Sequence, residues 1–355
     1  MHNRYNVLIL GASYGSLLAT KVLLAGHDVT LVCRLEEAQV INERGTRVRL
    51  PVKGREAPVE IDSRRLPGTL AAATPEAVTP AGYDLVALAM QEPQYRVTVV
   101  RRLLAAVAAA KIPCMSIMNM PPLPFLARIR GLDVDALTPC YTDHTVWSGF
   151  APALMTLCSP DPQAFRPPDE GPNVLQVTLP TNFKAARFGA DEHTAMLRRL
   201  QADIEAVRFD AGDGPVALPV KLKVHDSIFV PLAKWSMLLA GNYRCIRNDG
   251  PRSIRDAAHD DLARTRSVYD WVGRVCKALG ATDDDLVPFE KYANAAKGLV
   301  KPSSFARALS AGAPNIERVD CLVRTIAAQH GLQCAAVDEI VALVDARLDA
   351  NRLAA

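Results

Sequence analysis

Apolar residues along this chain alternate between continuous runs and helical spacing. YNVLILGA at 5–12 is a short unbroken apolar run, as expected of a parallel strand buried on both faces. GSLLATKVLLAG at 15–26 then spaces its apolar positions as a helix does, and Gly26 sits where a helix C-cap belongs. HDVTLVCR at 27–34 is again a strand, which completes one βαβ unit of roughly thirty residues.

The pattern continues more loosely. RVRLPV and APVEI predict short strands and DLVALAM at 84–90 a buried one. YRVTVVRRLLAAVAAA predicts a helix and IPCMSIMNM a further strand. From about 133 to 174 the pattern breaks into an irregular region that includes the proline-rich SPDPQAFRPPDEGP. NVLQVTL and AARFG return to strand character, and DEHTAMLRRLQADIEAV reads as an amphipathic helix with acids in its first turn. Beyond 221 the pattern predicts helices only. The expected fold class is therefore α/β: a Rossmann-type doubly wound sheet over residues 1–220, followed by an all-α domain over 221–355.

A length of 355 residues with 49% apolar content suits two domains of ordinary size. The net charge is +3 with mixed signs and no basic stripe, which argues against a nucleic-acid partner. No apolar run is long enough to span a bilayer and the N-terminus lacks the order of a signal peptide, so a cytoplasmic protein with no membrane partner is expected. The eight cysteines form no CxxC pair and have no histidine cluster beside them, so a metal site is not expected; they read as reduced core residues.

GASYGS at 11–16 lies between the first strand and the first helix, where a dinucleotide fingerprint belongs. Its three fingerprint positions are Gly11, Ser13 and Ser16, so two of the three glycines are replaced by serine. The strand–turn–helix–strand context supports a cofactor turn made by Gly11, Ala12, Ser13, Tyr14, Gly15 and Ser16, whose amides bind phosphate at the helix start. At the end of the second strand, where NAD readers place a carboxylate, the chain has Arg34. A guanidinium there suits the 2′-phosphate of NADPH.

LAKWSMLLAGN at 232–242 carries Lys234 in an otherwise apolar helix that Asp226 or Ser227 is expected to cap. Burying an unpaired ammonium is costly, so the head must reach water or a partner. Asn242 lies eight residues on, about 80° around a helix turning at about 100° per residue. A lysine and an amide facing one cleft suit carbonyl reduction, because hydride addition leaves an alkoxide that needs a proton.

At these residues the chain resembles the ketopantoate reductase (2-dehydropantoate 2-reductase) family. ILGASYGSLLATKVLLAGHDVTLVCR is similar to the family's opening unit, DLVALAMQEPQ to a later strand and turn, and MSIMNM to the strand that ends in a cofactor-side asparagine. LAKWSMLLAGN is similar to its K-x-x-x-N-x-x-x-N helix, and KPSSFARAL with NIERVD to its S-S-x-x-x-D…E-I-D segment. AAQHGLQCAAVDEIVALV is close to its C-terminal helix, turn and helix. The resemblance implies reduction of a small-molecule 2-oxo acid by NADPH. It implies that Lys234 is the general acid, with Glu317 facing it and a substrate hydroxyl. It implies that Asn242 and Ser304 or Ser303 bind the substrate, that Asn119 lies by the nicotinamide ribose and the carbonyl, and that Gln91 and Gln94 occupy the cofactor-side turn.

Several positions depart from the family pattern. Leu238 replaces the middle asparagine of the lysine helix, Gln91 replaces a lysine, and Met120 and Pro121 follow Asn119. These changes make the expected pocket less polar and point to a substrate other than ketopantoate. Tyr141, Asp143, His144 and Trp147 either line a pocket or belong to a folded loop. His225–Asp226 is read as helix capping rather than an acid–base pair, and TDDDL at 282–286 as a helix-start charge cluster. Two other function classes stay open. One is an opine-type dehydrogenase using His225 or His144; the other is a non-catalytic NADP-binding regulator. The surplus of apolar helix in the second domain makes a homodimer the candidate assembly.

Overall fold

The computed structural model describes residues 4–212 and 214–354. Its contacts divide the chain into two units. The first takes residues up to 90, then 94–125 and 146–226; the second takes 91–93, 126–145 and everything from 227 onward.

The first unit is built from β1 (Asn6–Leu10), α1 (Ala12–Leu24), β2 (Asp28–Val32), α2 (Leu35–Arg44), β3 (Arg47–Leu50), β4 (Val59–Asp62), β5 (Leu70–Ala73), β6 (Leu85–Leu88), α3 (Thr98–Ala109) and β7 (Cys114–Ile117). After the short helix α4 (Leu123–Leu126) come β8 (Met155–Ser159), β9 (Gln163–Phe165), β10 (Val174–Leu179), β11 (Phe183–Ala186), α5 (Asp191–Ala206), the two-residue strands β12 (Phe209–Asp210) and β13 (Pro215–Val216), and β14 (Leu222–His225). Eight strands form one sheet in the order β14-β11-β8-β7-β6-β1-β2-β5. Pairing is parallel from β5 through to β8; β11 then runs antiparallel to β8, and β14 parallel to β11. Because β2 and β6 flank β1 on opposite sides, the winding reverses there, and the reversal opens a crevice at the carboxyl ends of the strands.

Helix α1 is buried along almost its whole length. A second sheet, β4-β3-β10-β9, covers it, so Leu17, Leu18 and Val22 share one apolar cluster with Val48, Ile61, Leu175 and Val177. Double coverage explains why α1 reads as apolar all round rather than striped.

Several strands depart from the sequence expectation, among them Gln163–Phe165, which lies in the proline-rich stretch and pairs with β10. Met155–Ser159 lies within the stretch expected to be irregular, yet it is a fully buried strand of the main sheet. Leu222–His225 lies in the stretch expected to be purely helical, yet it pairs with β11 at the sheet's end.

Among its described residues the second unit is helical: α6 (Lys234–Met237), α7 (Ile254–His259), α8 (Leu262–Ala278), α9 (Phe289–Ala296), α10 (Ser304–Ser310), α11 (Val319–Gln329) and α12 (Ala335–Ala354). Its core gathers Trp235, Leu239, Tyr243, Trp271, Val272, Phe305, Leu322 and Ile326, all nearly or wholly buried. The TDDDL cluster is a helix start as expected. Thr282 and Asp285 form a reciprocal capping box, with Asp285 Oδ2 accepting from the Thr282 amide at 2.8 Å. No helix of the described residues is long and apolar enough to cross a membrane.

Candidate functional site

In the first unit the predicted cofactor residues fall at the carboxyl ends of parallel strands. Gly11 follows β1, Arg34 follows β2, Gln94 lies in the turn after β6, and Asn119 follows β7. Gly11 has φ 103°, a conformation that disfavours any side chain. A Cβ there would stand 2.6 Å from Met90 Cγ and 2.9 Å from the Ala89 carbonyl oxygen. The turn thus requires glycine and brings its backbone close to the crevice. Among the described residues no side chain caps the start of α1, and no acid lies in its first turn, so the amides there are open to an anion.

The glycine roles are redistributed from the expected fingerprint. Ser16 is buried, and its hydroxyl donates back to the Ala12 carbonyl inside the helix. The close helix–strand approach is made at Gly15, where a Cβ would stand 2.7 Å from Ile9 Cγ2. Tyr14 donates its hydroxyl to the Pro162 carbonyl at 2.7 Å and meets Phe183 edge-on, so it braces the turn from behind. Ser13 is the exposed member of the group.

Arg34 is exposed at the N-cap of α2. Glu37, one turn on, is closely ion-paired with Arg166. That pairing occupies one of the two acids that follow Arg34 and brings a second guanidinium to the same helix. Sequence reading did not single out Arg166, because 129 residues separate the two partners. The residues present thus offer a glycine turn, uncapped helix amides and two guanidinium groups to an anionic dinucleotide. Asn119 is half-buried, whereas Met120 and Pro121 turn into the interior.

In the second unit the lysine segment is not one regular α-helix. A 3-10 turn (Val230–Ala233) leads into α6, which widens into a π-helical turn (Leu238–Asn242) and tightens again at Tyr243–Cys245. An angle counted at about 100° per residue does not hold across such a change of pitch. Between Lys234 and Asn242 the half-buried positions are Lys234, Met237 and Asn242, while Trp235, Ser236 and Leu238 through Gly241 are buried. Leu238, at 1% exposure, is a core residue rather than a pocket wall. Gly241 lies in the π turn, where a Cβ would fall 2.0 Å from the Tyr292 hydroxyl oxygen. Contrary to the sequence expectation, neither Asp226 nor Ser227 caps this segment: its N-cap position is Phe229, Asp226 is ion-paired with Arg198, and the Ser227 hydroxyl accepts from the Phe229 amide at 3.2 Å in a turn ahead of it.

Glu317 lies in the irregular stretch before α11, not on a helix, and is 1% exposed. Tyr243 fixes it: the phenol donates to the Glu317 carbonyl and accepts from the Val319 amide at 3.0 Å. Tyr243 is itself stacked on Phe305, with ring centroids 4.7 Å apart. The next turn is pinned by Arg318, which grips the wholly buried Asp320 through two bonds of 3.0 Å.

A second buried carboxylate meets Glu317. The Glu92 amide donates to Glu317 Oε1 at 3.4 Å, and the Glu92 carboxylate accepts from the Thr142 amide at 3.0 Å and its hydroxyl at 2.9 Å. Burial pushes the Glu92 carboxyl up to about 7, with the neighbouring Glu317 adding to the effect against the Thr142 hydrogen bonds. Ser303 is the N-cap of α10, accepting from the Ala306 amide, whereas Ser304 is exposed.

The remaining candidates separate. Trp147 is core of the first unit against Tyr95 and Phe150, and Tyr141 is buried in the second unit. Asp143 accepts from the Thr145 amide within its own turn, and His144 is exposed. His225 ends strand β14, so it is not a helix neighbour of Asp226. Gln91 and Gln94 are both exposed, Gln91 within the second unit and Gln94 within the first.

No family model matches the sequence, and no curated protein matches it. Solved structures do match, over nearly the whole chain. One is a 2-dehydropantoate 2-reductase from Methylococcus capsulatus, with TM-score 0.67 and 13% identity over 98% of this chain and 97% of that one. A putative ketopantoate reductase from Ralstonia solanacearum aligns with TM-score 0.66 and 16% identity, covering 99% of both chains. D-mandelate dehydrogenase, solved with NADH and anilino(oxo)acetate, aligns with TM-score 0.64 and 13% identity over 98% of this chain and 99% of that one. The chain has the fold of the ketopantoate reductases, as its sequence resemblance implies.

Proposed function

We propose that the chain is an NADPH-dependent reductase of a 2-oxo acid, with Lys234 as general acid. The observation that carries the reading is a half-buried lysine in a buried helical run that changes to π pitch within one turn. Pitch changes of this kind cost regular hydrogen bonding and recur at functional sites. Bound NADPH supplies the hydride. The amides of Ala12, Ser13 and Tyr14 beyond Gly11 hold the pyrophosphate, and Arg34 with Arg166 favours a 2′-phosphate over a free ribose. Asn119 and Gln94 orient the nicotinamide end, with Gln91 replacing the family's lysine.

Lys234 donates a proton to the carbonyl oxygen as that oxygen gains charge, and its cationic form stabilises the charge before transfer. Asn242 and the exposed Ser304 take the substrate carboxylate and its neighbouring oxygen. Glu317 orients the lysine. The substrate in this reading is less polar than ketopantoate, an aryl or branched 2-oxo acid. Likeness of fold to an enzyme solved with anilino(oxo)acetate supports this. A homodimer through the helical unit belongs to the same reading, supported by the exposed Leu262 and Val300.

The test is a panel of 2-oxo acids followed by NADPH and NADH absorbance, with Lys234→Ala alongside. The variant is expected to lose about 100-fold or more in kcat and to keep its affinity for NADPH. Unchanged turnover removes Lys234 from the mechanism. Turnover that requires an added amino acid supports imine reduction instead. NADPH binding without turnover across the panel supports a regulator.

A further inference from the structure

Cys140 and Cys321 are 181 residues apart in sequence, yet their sulfurs lie 3.2 Å apart within the second unit. Cys140 is buried and donates; Cys321, on the first turn of α11, is partly exposed and accepts. Both backbones are held on either side of the pair. Asp133 exchanges two hydrogen bonds with Gln329 of α11, at 3.0 and 2.9 Å. Thr325, one turn beyond Cys321, donates to the Cys321 carbonyl at 2.9 Å and lies 3.6 Å from the Cys140 sulfur. Two residues after Cys140, Thr142 holds the Glu92 carboxylate, and the Glu92 amide holds Glu317. Cys140, Thr142, Glu92, Glu317 and Cys321 thus form a ring closed everywhere by covalent or hydrogen bonds, with the sulfur pair as one link.

We propose that this pair is a redox modification site, at which a hydroperoxide converts the two thiols into a disulfide that clamps the Thr142–Glu92–Glu317 chain. The Cys321 sulfur attacks one peroxide oxygen, becoming a sulfenic acid, and the first water leaves. The Cys140 sulfur then attacks that sulfur, the S–S bond forms, and the sulfenic oxygen leaves as the second water. Two thiols and one hydrogen peroxide give one disulfide and two waters; the thiols lose two electrons and the peroxide gains them. The sulfurs need close only from 3.2 Å to a bonded distance of about 2.0 Å. The roles follow from position. Cys321 is the partly exposed sulfur, open to a peroxide from solvent, and Cys140 is the buried one behind it. Cys321 is therefore the attacking sulfur and Cys140 the resolving one.

The test uses the full chain treated with one equivalent of hydrogen peroxide, then digested without reductant for mass spectrometry. A peptide linking Cys140 to Cys321, lost on adding dithiothreitol, is the expected result. Cys140→Ser should leave Cys321 as a sulfenic acid that dimedone traps, and Cys321→Ser should leave Cys140 unmodified. Absence of the linked peptide from the wild-type digest, or conversion of Cys321 straight to sulfinic acid, overturns the site. Hydrogen exchange at the Thr142 and Glu92 amides should slow in the oxidised protein; equal exchange in both forms overturns the clamp. None of these readouts depends on the reductase reading.

Discussion

The Ser303 hydroxyl donates to the main-chain carbonyl of Asn242 at 2.7 Å while accepting from the Ala306 amide at 3.2 Å. One hydroxyl therefore caps α10 and ties it to the end of the π turn beside a proposed substrate residue. Ser303 and Ser304 were alternatives for the same substrate contact; Ser303 is committed to capping α10, while Ser304 is exposed.

Ser303→Ala is accordingly expected to destabilise the fold by about 1 kcal/mol, the usual cost of losing such a cap. Ser304→Ala should stay within about 0.5 kcal/mol of wild type and raise KM for the oxo acid. Denaturant melts and steady-state kinetics on the two variants separate the roles. A KM effect at Ser303 with no loss of stability would reverse the assignment.

The glycines of the first turn make a second contrast. At Gly11 an added methyl meets main chain, the Ala89 carbonyl at 2.9 Å, in a strained backbone conformation of φ 103°. At Gly15 it meets the branch of Ile9 at 2.7 Å. Gly11→Ala should abolish NADPH binding and lower stability by several kcal/mol. Gly15→Ala should destabilise without abolishing binding, and Gly15→Ala with Ile9→Val should recover part of that loss. Thermal melts with and without NADPH check all three.

These particulars show how far the sequence could be read. The βαβ opening and the helical second half were legible because each rests on local periodicity, whereas Asn119 was singled out only through the resemblance to a family. Strand β8 was not legible. MTLCS is a five-residue apolar stretch between a run of 3-10 turns and a proline-rich loop, and only its pairing with β7 and β11 makes it a strand. The pitch change after Lys234 was hidden too: it falls where the Tyr292 hydroxyl from another helix packs against Gly241, a contact that local periodicity does not carry. Glu92, Arg166 and the Cys140–Cys321 pair carried no signal, because each gains its meaning from a partner remote in sequence.

Lys21 in α1 is a buried cation, at 2% exposure, whose ammonium nitrogen has no hydrogen-bond partner among the described residues. Burial lowers it to about 7, with Lys221 adding to the effect. Its folded value lies below its unfolded value of 10.5, so the unfolded chain binds the extra proton between the two. The penalty is therefore full below about 7 and fades as pH rises through that window. Lys21→Met should raise stability at pH 7 by about 2–5 kcal/mol and flatten the rise of stability with pH. Denaturant unfolding at a series of pH values reads both. An unchanged pH slope would mean that the amine reaches water.

Glu92 works in the opposite sense. Its folded value of about 7 lies above the ordinary 4.5, so the folded protein holds the proton more tightly than the unfolded chain. Stability tied to this group is thus present below 4.5 and is lost as pH rises towards 7. Glu92→Gln keeps a carbonyl oxygen to accept from the Thr142 amide and gains an amide to donate to the Thr142 hydroxyl, while removing the charge beside Glu317. The variant should match wild type near pH 4.5 and exceed it by about 1–3 kcal/mol at neutral pH. If the two stability curves instead run parallel between these values, the Glu92 carboxyl keeps its ordinary value in the fold, and its charge beside Glu317 carries no pH-dependent cost.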